Sequence, residues 1–237
     1  MGSVEKIETL GLLDGPGIRV VVFLSGCKLR CKYCHNPEMW NMKKNNYTAQ
    51  ALADKILKYK PYFGSDGGVT FSGGEPLLQS DFLIEVSKIL KENNVHIALD
   101  TAGVGYNIEE ALKYVDLVLL DIKHVNQEGY KNMTGLDIDD SLKFIDLLNK
   151  SNKPVWIRQV IVPGIMDNDE YLKGLNDILQ KINNIEKIDF LPFHKLGENK
   201  YDELGIENPL KDTDSMDKIE CDKLYTKFIN DYYKNKS

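Results

Sequence analysis

The chain has 237 residues, of which 42% are hydrophobic and 28% charged, a composition typical of globular proteins with enough chain to bury a core. Its 30 Lys and Arg residues against 36 Asp and Glu give a net charge of -6, so no overall positive field attracts nucleic acid. No run of about eighteen apolar residues is present, and we expect no membrane span.

Short aliphatic runs alternate along the chain with amphipathic segments. The runs predict six strands, at residues 18–24, 69–71, 95–99, 117–120, 155–161 and 188–191. The segments between them repeat apolar residues at i, i+3 and i+4, which predicts helices with one face packed on a sheet. These helices centre on Leu52, Ile56 and Tyr59; on Phe82, Val86, Ile89 and Leu90; on Leu142, Ile145 and Leu148; and on Tyr171, Leu175, Ile178 and Leu179.

Six strand and helix alternations predict parallel strands with right-handed crossovers, and so an α/β fold built as a partial (β/α)6 barrel. No repeat or low-complexity linker interrupts the series, so we expect one domain over residues 1–237. Residues 197–214 are polar and without period, which predicts a surface loop before a last helix at 216–232. Cys221 shares one face of that helix with apolar residues, so we interpret it as a buried hydrophobic side chain.

Three of the four cysteines, Cys27, Cys31 and Cys34, fall within eight residues. Three thiolates can hold three irons of a four-iron, four-sulfur cube, and the fourth iron then stays open for a substrate. S-adenosylmethionine can chelate such an iron, and one electron can cleave it to a 5'-deoxyadenosyl radical. The C-x3-C-x2-C spacing resembles the signature of the radical S-adenosylmethionine superfamily.

Other interpretations of the cysteines fit the sequence less well. Cys31 to His35 matches the C-x-x-C-H haem attachment pattern, but residues 1–24 carry no export signal. A zinc site would need the adjacent Cys34 and His35 on one ion, with no second C-x-x-C pair nearby. Four cysteines are too sparse for a disulfide framework. We therefore expect a reducing, cytoplasmic setting with little oxygen.

Polar residues follow each predicted strand, at the edge where the loops of a parallel βα fold converge. Tyr33 could lie against an adenine ring, and the backbone at Cys34 and His35 could bond its edge. After strand two, Gly73 and Gly74 permit close backbone approach to a methionine ammonium group. Dinucleotide-fold glycine motifs, phosphate loops and nucleophile elbows are missing from the sequence.

The later strands end in charged residues. Asp100 and Thr101 could help bind a cation with Asp121, or equally could cap a helix. Lys123, after Asp121 and Ile122, could meet a carboxylate as a point charge. Arg158 interrupts an apolar strand and needs a carboxylate partner in the barrel mouth. His194 comes at the same rim after the sixth strand.

Taken together, these motifs resemble the glycyl-radical-enzyme activases of the radical S-adenosylmethionine superfamily over essentially the whole chain. The motifs that carry the resemblance are residues 14–19 (Asp-Gly-Pro-Gly-Ile-Arg), the cysteine loop with residues 35–37, Gly73-Gly74-Glu75, Asp121-Ile122-Lys123, Arg158 with residues 162–164, and residues 191–194. The resemblance implies a [4Fe-4S] cluster on the three cysteines and S-adenosylmethionine as co-substrate. It also implies ligand contacts from Tyr33, Cys34, His35, Gly74, Asp121, Ile122, Lys123, Arg158 and His194.

The same resemblance implies a monovalent cation near Asp100, Thr101 and Asp121. Leu119 stands where the family commonly has methionine, which is harmless if a backbone carbonyl serves there. Residues 36–70 carry no cysteine, which indicates the short form without an extra ferredoxin-like module and favours pyruvate formate-lyase as the protein substrate. A flavodoxin or ferredoxin is the implied electron donor, and the implied state is a monomer.

Three alternatives stay open at this point. The chain could activate another glycyl radical enzyme. It could also be a radical enzyme acting on a small molecule, or an electron-transfer protein with Cys221 as the fourth cluster ligand.

Overall fold

A computed structural model describes residues 1–236; Ser237, the last residue of the predicted domain, lies outside the described residues. The strands are β1 (Val4–Gly11), β2 (Arg19–Leu24), β3 (Gly68–Gly73), β4 (His96–Thr101), β5 (Leu117–Asp121), β6 (Val155–Ile161) and β7 (Ile185–Pro192). The helices are α1 (Ala49–Leu57), α2 (Ser80–Glu92), α3 (Ile108–Leu112), α4 (Gln127–Thr134), α5 (Asp139–Ser151), α6 (Asp169–Leu179), α7 (Glu198–Leu204) and α8 (Lys218–Lys236).

Residues 1–236 form one seven-stranded sheet in which the strands follow one another in chain order. β1 pairs antiparallel with β2, and every later pair from β2 to β7 is parallel. Within the described part of the chain β7 does not pair back onto β1, so the sheet is an unclosed barrel. The predicted partial (β/α)6 barrel is confirmed, with β1 added as an antiparallel edge strand.

The burial pattern of β6 shows how the sheet separates its two faces. Val155, Ile157, Gln159 and Ile161 are buried, whereas Trp156, Arg158 and Val160 between them are half-buried. Successive side chains of a strand point to opposite faces, so the second set faces the barrel interior. In that interior Ala98, Leu117 and Leu119 form a small apolar cluster against Trp156, nearer the amino ends of the strands than Asp100, Asp121 and Arg158.

Three of the helices, α1, α4 and α6, begin where a side chain satisfies a free backbone N–H group. Thr48 accepts a hydrogen bond from Ala51 at the start of α1, and Asn126 and Asn168 accept equivalent bonds in α4 and α6. The apolar faces of the helices cover the outer side of the sheet in one large core. This arrangement leaves the carboxyl ends of the parallel strands free to carry functional groups.

The structure corrects three predictions. Residues 197–214 are not entirely a loop, because α7 lies there and buries Tyr201. α3, α4 and β1 were not predicted, because short or one-sided elements leave no long apolar period. Leu142 is 38% exposed, and its neighbours Ser141 and Phe144 take the buried face of α5 instead.

None of the helices within residues 1–236 combines the length and hydrophobicity that a membrane span needs.

Candidate active site

A cavity of about 430 Å³ opens at the carboxyl ends of the strands. It gathers residues from the loops after β1, β2, β3, β4, β5 and β7 and from β3, β4, β5 and β6 themselves. Its lining includes Asp14, Cys27, Cys31, Tyr33, Cys34, His35, Trp40, Ser72, Gly74, Glu75, Asp100, Thr101, Asp121, Lys123, Arg158 and His194. All the predicted site residues except Ile122 therefore border one space; Ile122 is buried in the outer core, and its N–H donates to the carbonyl of Arg158.

The three cysteines are presented by a loop that backbone hydrogen bonds fix on both sides. The Cys27 N–H donates to the Trp40 carbonyl at 2.9 Å, and the N–H groups of Arg30 and Lys32 donate to carbonyls of α4. Cys31 is buried, and Cys27 and Cys34 are half-buried. The loop therefore holds three thiols at one cavity wall with little freedom to move.

Burial disfavours the thiolate form of all three thiols. It raises the pKa of Cys27 and of Cys31 to about 12 and also raises the pKa of Cys34. A nearby metal centre would reverse this effect, because coordination favours the deprotonated sulfur. Three thiols without a fourth at the same wall match the donor set of a four-iron cube with one open iron, so the residues present fit that group.

The second wall comes from the turn after β3. Gly73 has a φ of +121°, and a side chain on Gly74 would strike the carbonyl of Gly26. The N–H groups of Gly74 and Glu75 donate to Leu24 and Gly26 at 2.8 Å each. The glycine pair thus lets the turn pack directly against the start of the cysteine loop.

Glu75 was not predicted as a site residue, although it belongs to the Gly-Gly-Glu motif. Its carboxylate is 1% exposed and accepts hydrogen bonds from Thr101 Oγ1 at 2.5 Å, from the Ala102 N–H at 2.9 Å and from the Leu77 N–H at 3.1 Å. Burial nevertheless raises the pKa of Glu75 to about 7. The group is thus balanced between its neutral and charged forms near neutral pH.

Acidic and basic groups meet in the interior above the apolar cluster. Arg158 NH1 lies 3.4 Å from Asp100 Oδ2 and 3.5 Å from Asp14 Oδ1, and Ser72 Oγ donates to Asp100 Oδ2 at 2.7 Å. The Asp100 carboxylate holds the pKa of Arg158 above its ordinary value, while burial raises the pKa of Asp100 itself. Asp100 Oδ1 is buried and has no hydrogen-bond partner within the described residues, so it is available to a ligand.

Lys123 is more deeply buried than Arg158, the other basic residue in the interior of the cavity. Its Nζ lies 2.8 Å from Asp121 Oδ2 and 5.6 Å from the centre of the Tyr33 ring. Burial alone would lower the pKa of Lys123, but its neighbours together, of which the Asp121 carboxylate has the largest effect, hold the pKa well above its ordinary value. Lys123 is therefore charged and held in place at any physiological pH.

The imidazoles of His35 and His194 stack at the rim, with ring centres 4.1 Å apart and planes 11° from parallel. His35 Nε2 also lies 2.9 Å from the His194 carbonyl. Burial lowers the pKa of His35. The stack joins the cysteine loop to the segment after β7, and Tyr201 of α7 adds a second link by donating to the Cys34 carbonyl at 2.9 Å.

The predicted cation site is assembled only in part. Thr101 Oγ1 donates to Glu75 and accepts from the Gly103 N–H, so its hydroxyl is already engaged. The alternative role of Asp100 and Thr101 as a helix cap is wrong, because the next helix begins at Ile108 after Asn107. Within residues 1–236 no group of three or more His, Cys, Asp or Glu side chains is arranged for a single metal ion.

A buried arginine fixes the loop that carries Asp14, and it was also not predicted. Arg19 is fully buried; its Nε donates to Thr70 Oγ1 at 2.6 Å, and its other nitrogens donate to the carbonyls of Pro16 and Val69. Thr70 Oγ1 donates in turn to the Asp14 carbonyl at 2.6 Å. Arg19 thus sets the position of Asp14 at the cavity without lining the cavity itself.

Comparison with known proteins gives a consistent result. Residues 21–175 match the family model described as the radical SAM superfamily. The chain is 52% identical over 230 residues to a pyruvate formate-lyase-activating enzyme of Clostridium pasteurianum, covering 94% of this chain and 95% of the relative. It is 43% identical over 227 residues to one of Staphylococcus epidermidis, covering 91% and 90%.

Solved structures share the fold. A domain of a pyruvate-formate lyase-activating enzyme from Bacteroides vulgatus superposes with a TM-score of 0.56 at 24% identity, over 70% of this chain and 94% of that one. Streptococcus suis SuiB bound to S-adenosylmethionine gives a TM-score of 0.67 at 16% identity, over 89% and 46%. At these identities the likeness concerns the fold.

Proposed function

Since this chain belongs to the radical SAM superfamily, and within it to the pyruvate formate-lyase-activating enzymes, we propose that it activates a pyruvate formate-lyase by taking a hydrogen atom from a glycine of that enzyme. The observation that carries the proposal is the convergence of three cysteines and the polar groups of every parallel strand on one cavity. When bound, a [4Fe-4S] cluster and S-adenosylmethionine would supply one electron and a 5'-deoxyadenosyl radical.

Different residues of the cavity would hold the cluster and S-adenosylmethionine. Cys27, Cys31 and Cys34 would ligate three irons. The backbone at Gly74, packed against the cysteine loop, is suited to a ligand ammonium group, as is the buried Glu75 carboxylate beside it. Lys123 offers a fixed positive charge for a carboxylate, and Tyr33 offers an aromatic face at the same wall.

The interior acids are suited to balance positive charge. Asp100 Oδ1, which has no hydrogen-bond partner within residues 1–236, could accept a hydrogen bond from a ligand or coordinate a monovalent cation. Asp121 is already paired with Lys123, so it would contribute as part of that pair. His35 and His194 would close the rim over the ligand as a stacked unit.

A protein substrate fits the open architecture. The sheet ends in β1 on one side and β7 on the other, and no strand pairing closes the gap between these edges within residues 1–236. A glycine has no side chain to block approach, and a radical on its α-carbon is stabilised by both neighbouring amides. An extended glycine-bearing segment could therefore reach the cavity through this gap.

The test is transfer of deuterium from protein to cofactor. The reduced holoenzyme is mixed anaerobically with S-adenosylmethionine and a pyruvate formate-lyase deuterated at its glycine α-carbons. We expect an organic radical signal on the lyase and deuterium in the 5'-deoxyadenosine, with one deoxyadenosine per radical. Cys31→Ser is the matched control, because it should lose both signals.

Two other outcomes would redirect the proposal. Pyruvate formate-lyase could show no radical signal and the deoxyadenosine no deuterium, while a different glycyl radical enzyme acquires the radical. That result would make the second enzyme the partner. If deoxyadenosine forms without deuterium and no glycyl radical enzyme shows a radical signal, the substrate is a small molecule.

A further inference from the structure

The outer side of the cysteine loop carries three basic residues in alternate positions, Lys28, Arg30 and Lys32; we call them the loop cations. Lys28 and Arg30 are exposed, and Lys32 is half-buried. None of the three forms an ion pair within residues 1–236, whereas the whole chain carries a net charge of -6. Their charge is therefore uncompensated at short range on a protein that is acidic overall.

Two acidic residues of the adjoining segments already have cationic partners. Asp137, after α4, pairs with Lys131 at 3.4 Å, and Glu38, after the cysteine loop, pairs with Lys200 at 2.6 Å. Neither carboxylate is therefore free to pair with the loop cations.

Two of the loop cations, Arg30 and Lys32, are also held in place. The N–H groups of Arg30 and Lys32 donate to the carbonyls of Thr134 and Met133 at 2.8 and 2.9 Å, and Lys32 Nζ donates to Asn132 Oδ1 at 2.6 Å. A surface that is already ordered loses little conformational entropy when a partner binds.

One side chain connects this surface to the cysteines. The guanidinium of Arg30 lies 5.0 Å from the centre of the Trp40 ring, and its NH1 donates to the Cys27 carbonyl at 2.6 Å. Trp40 lines the cavity, and its carbonyl accepts a hydrogen bond from the Cys27 N–H at 2.9 Å. Direct contacts thus join exposed Arg30 to Trp40 and to the backbone of Cys27.

We propose that the loop cations form the docking surface for an acidic protein that donates one electron, with its redox group placed over Arg30 and Trp40. This inference rests on the proposed function, which needs one electron per turnover. The donor loses that electron and the cluster on Cys27, Cys31 and Cys34 gains it; no bond forms or breaks and no proton moves.

Screening by salt explains why the loop cations can attract an acidic partner although the whole chain is negatively charged. At an ionic strength of 0.1 M charges are screened beyond about 10 Å, so the overall negative charge opposes an acidic partner only weakly at contact. A cluster of surface cations then provides the complementary potential that steers and orients the complex.

The test uses a flavodoxin of strongly negative net charge and the reconstituted holoenzyme. The variant Lys28→Gln/Lys32→Gln removes two charges and leaves the contacts of Arg30 intact. The matched control is Lys58→Gln/Lys150→Gln, which removes two exposed lysines at the ends of α1 and α5, near the amino edge of the sheet. We measure the Kd for flavodoxin at several salt concentrations, the rate of cluster reduction by reduced flavodoxin, and lyase activation with dithionite as reductant.

We expect the loop variant to raise the Kd and slow flavodoxin-dependent reduction by about tenfold at low salt, with a flatter salt dependence, and the control to change neither. Activation with dithionite should equal that of the wild type. Equal effects in loop and control variants, or an unchanged Kd in the loop variant, would overturn the docking proposal. Failure of the wild type to activate the lyase even with dithionite would instead overturn the proposed function.

Discussion

Arg158 NH1 lies 3.4 Å from Asp100 Oδ2, although β5 separates the two strands that carry them. Both side chains point into the barrel interior, so the ion pair bridges across a strand rather than along the sheet. Asp14 approaches the same guanidinium at 3.5 Å from the loop between β1 and β2. This contact ties three separate chain segments together at the floor of the cavity.

Removing Arg158 should therefore destabilise the fold as well as the site. Arg158→Ala leaves the shielded Asp100 carboxylate without its cation, and we expect the free energy of unfolding to fall by about 1.5 to 3 kcal/mol. Urea denaturation of the metal-free protein measures this loss. Arg158→Lys keeps a charge and should lose less; a loss of equal size in both variants would show that the planar guanidinium, not the charge, is required.

Lys123→Ala and His194→Ala should each weaken S-adenosylmethionine binding while the iron content stays unchanged. Lys123 offers a charge-assisted hydrogen bond worth about 1.5 to 3 kcal/mol, which corresponds to roughly ten- to a hundredfold in Kd. Calorimetry on the anaerobic holoenzyme gives the affinity. Lys150→Ala, at an exposed site, is the control. Unchanged affinity in both site variants would mean that the ligand lies elsewhere.

Cys221→Ser should keep about four irons per chain, because Cys221 lies on α8 and does not line the cavity that holds the other three cysteines. Its thiol is 1% exposed, and burial raises its pKa to about 11. Cys31→Ser should lose the cluster under the same reconstitution. Iron analysis and electron paramagnetic resonance decide; loss of iron in Cys221→Ser would favour a four-cysteine electron-transfer site.

Glu75 should make the metal-free protein less stable as the pH rises through 7. Its folded pKa of about 7 lies above the ordinary 4.5, so its contribution is fully present below pH 4.5 and is lost as the pH rises through 7. Between pH 6 and 8 we expect a loss of about 1 kcal/mol that Glu75→Gln does not show. Parallel urea titrations of both proteins cancel the other titrating groups. Identical pH slopes would contradict the raised pKa.

Thr70→Val should lower the stability of the protein, because the Thr70 hydroxyl links Arg19 to the Asp14 carbonyl. The substitution keeps the shape of the side chain but leaves the buried Arg19 Nε and the Asp14 carbonyl without their shared hydroxyl, at a cost of about 1 to 3 kcal/mol. Thr70→Ser retains the hydroxyl and is the control. Thermal unfolding of the two variants should separate them clearly; similar melting temperatures would show that the hydroxyl contributes little.

The sequence predicted the helices with a long apolar period and the parallel strands with a continuous aliphatic or β-branched run. The parallel strands at residues 155–161 and 18–24 match the structure to within one residue, and the requirement that Arg158 find a carboxylate is met by Asp100. Cys221 is buried on its helix, as its apolar neighbours indicated. In each case the neighbouring residues in the sequence are enough to determine whether the side chain is buried or needs a charged partner.

What the sequence could not predict depends on contacts between distant segments. α7 has seven residues and no apolar stripe, and its Tyr201 and Lys200 meet the segment after Cys34 only in the folded chain. Glu75 and Arg19 look like ordinary surface charges until their burial is known. Their motifs, Gly-Gly-Glu and Asp-Gly-Pro-Gly-Ile-Arg, were the available signal, but the local pattern did not reveal which member would be buried.

The strictly sequential strand order has a consequence for how the molecule is made. Each strand pairs with the one synthesised just before it, so the sheet can grow from its amino-terminal edge while the chain is still emerging from the ribosome. The cavity, however, draws on residues from Asp14 to His194. The pocket around the three thiols, which belong to the loop after β2, is therefore complete only when the last strand has been added.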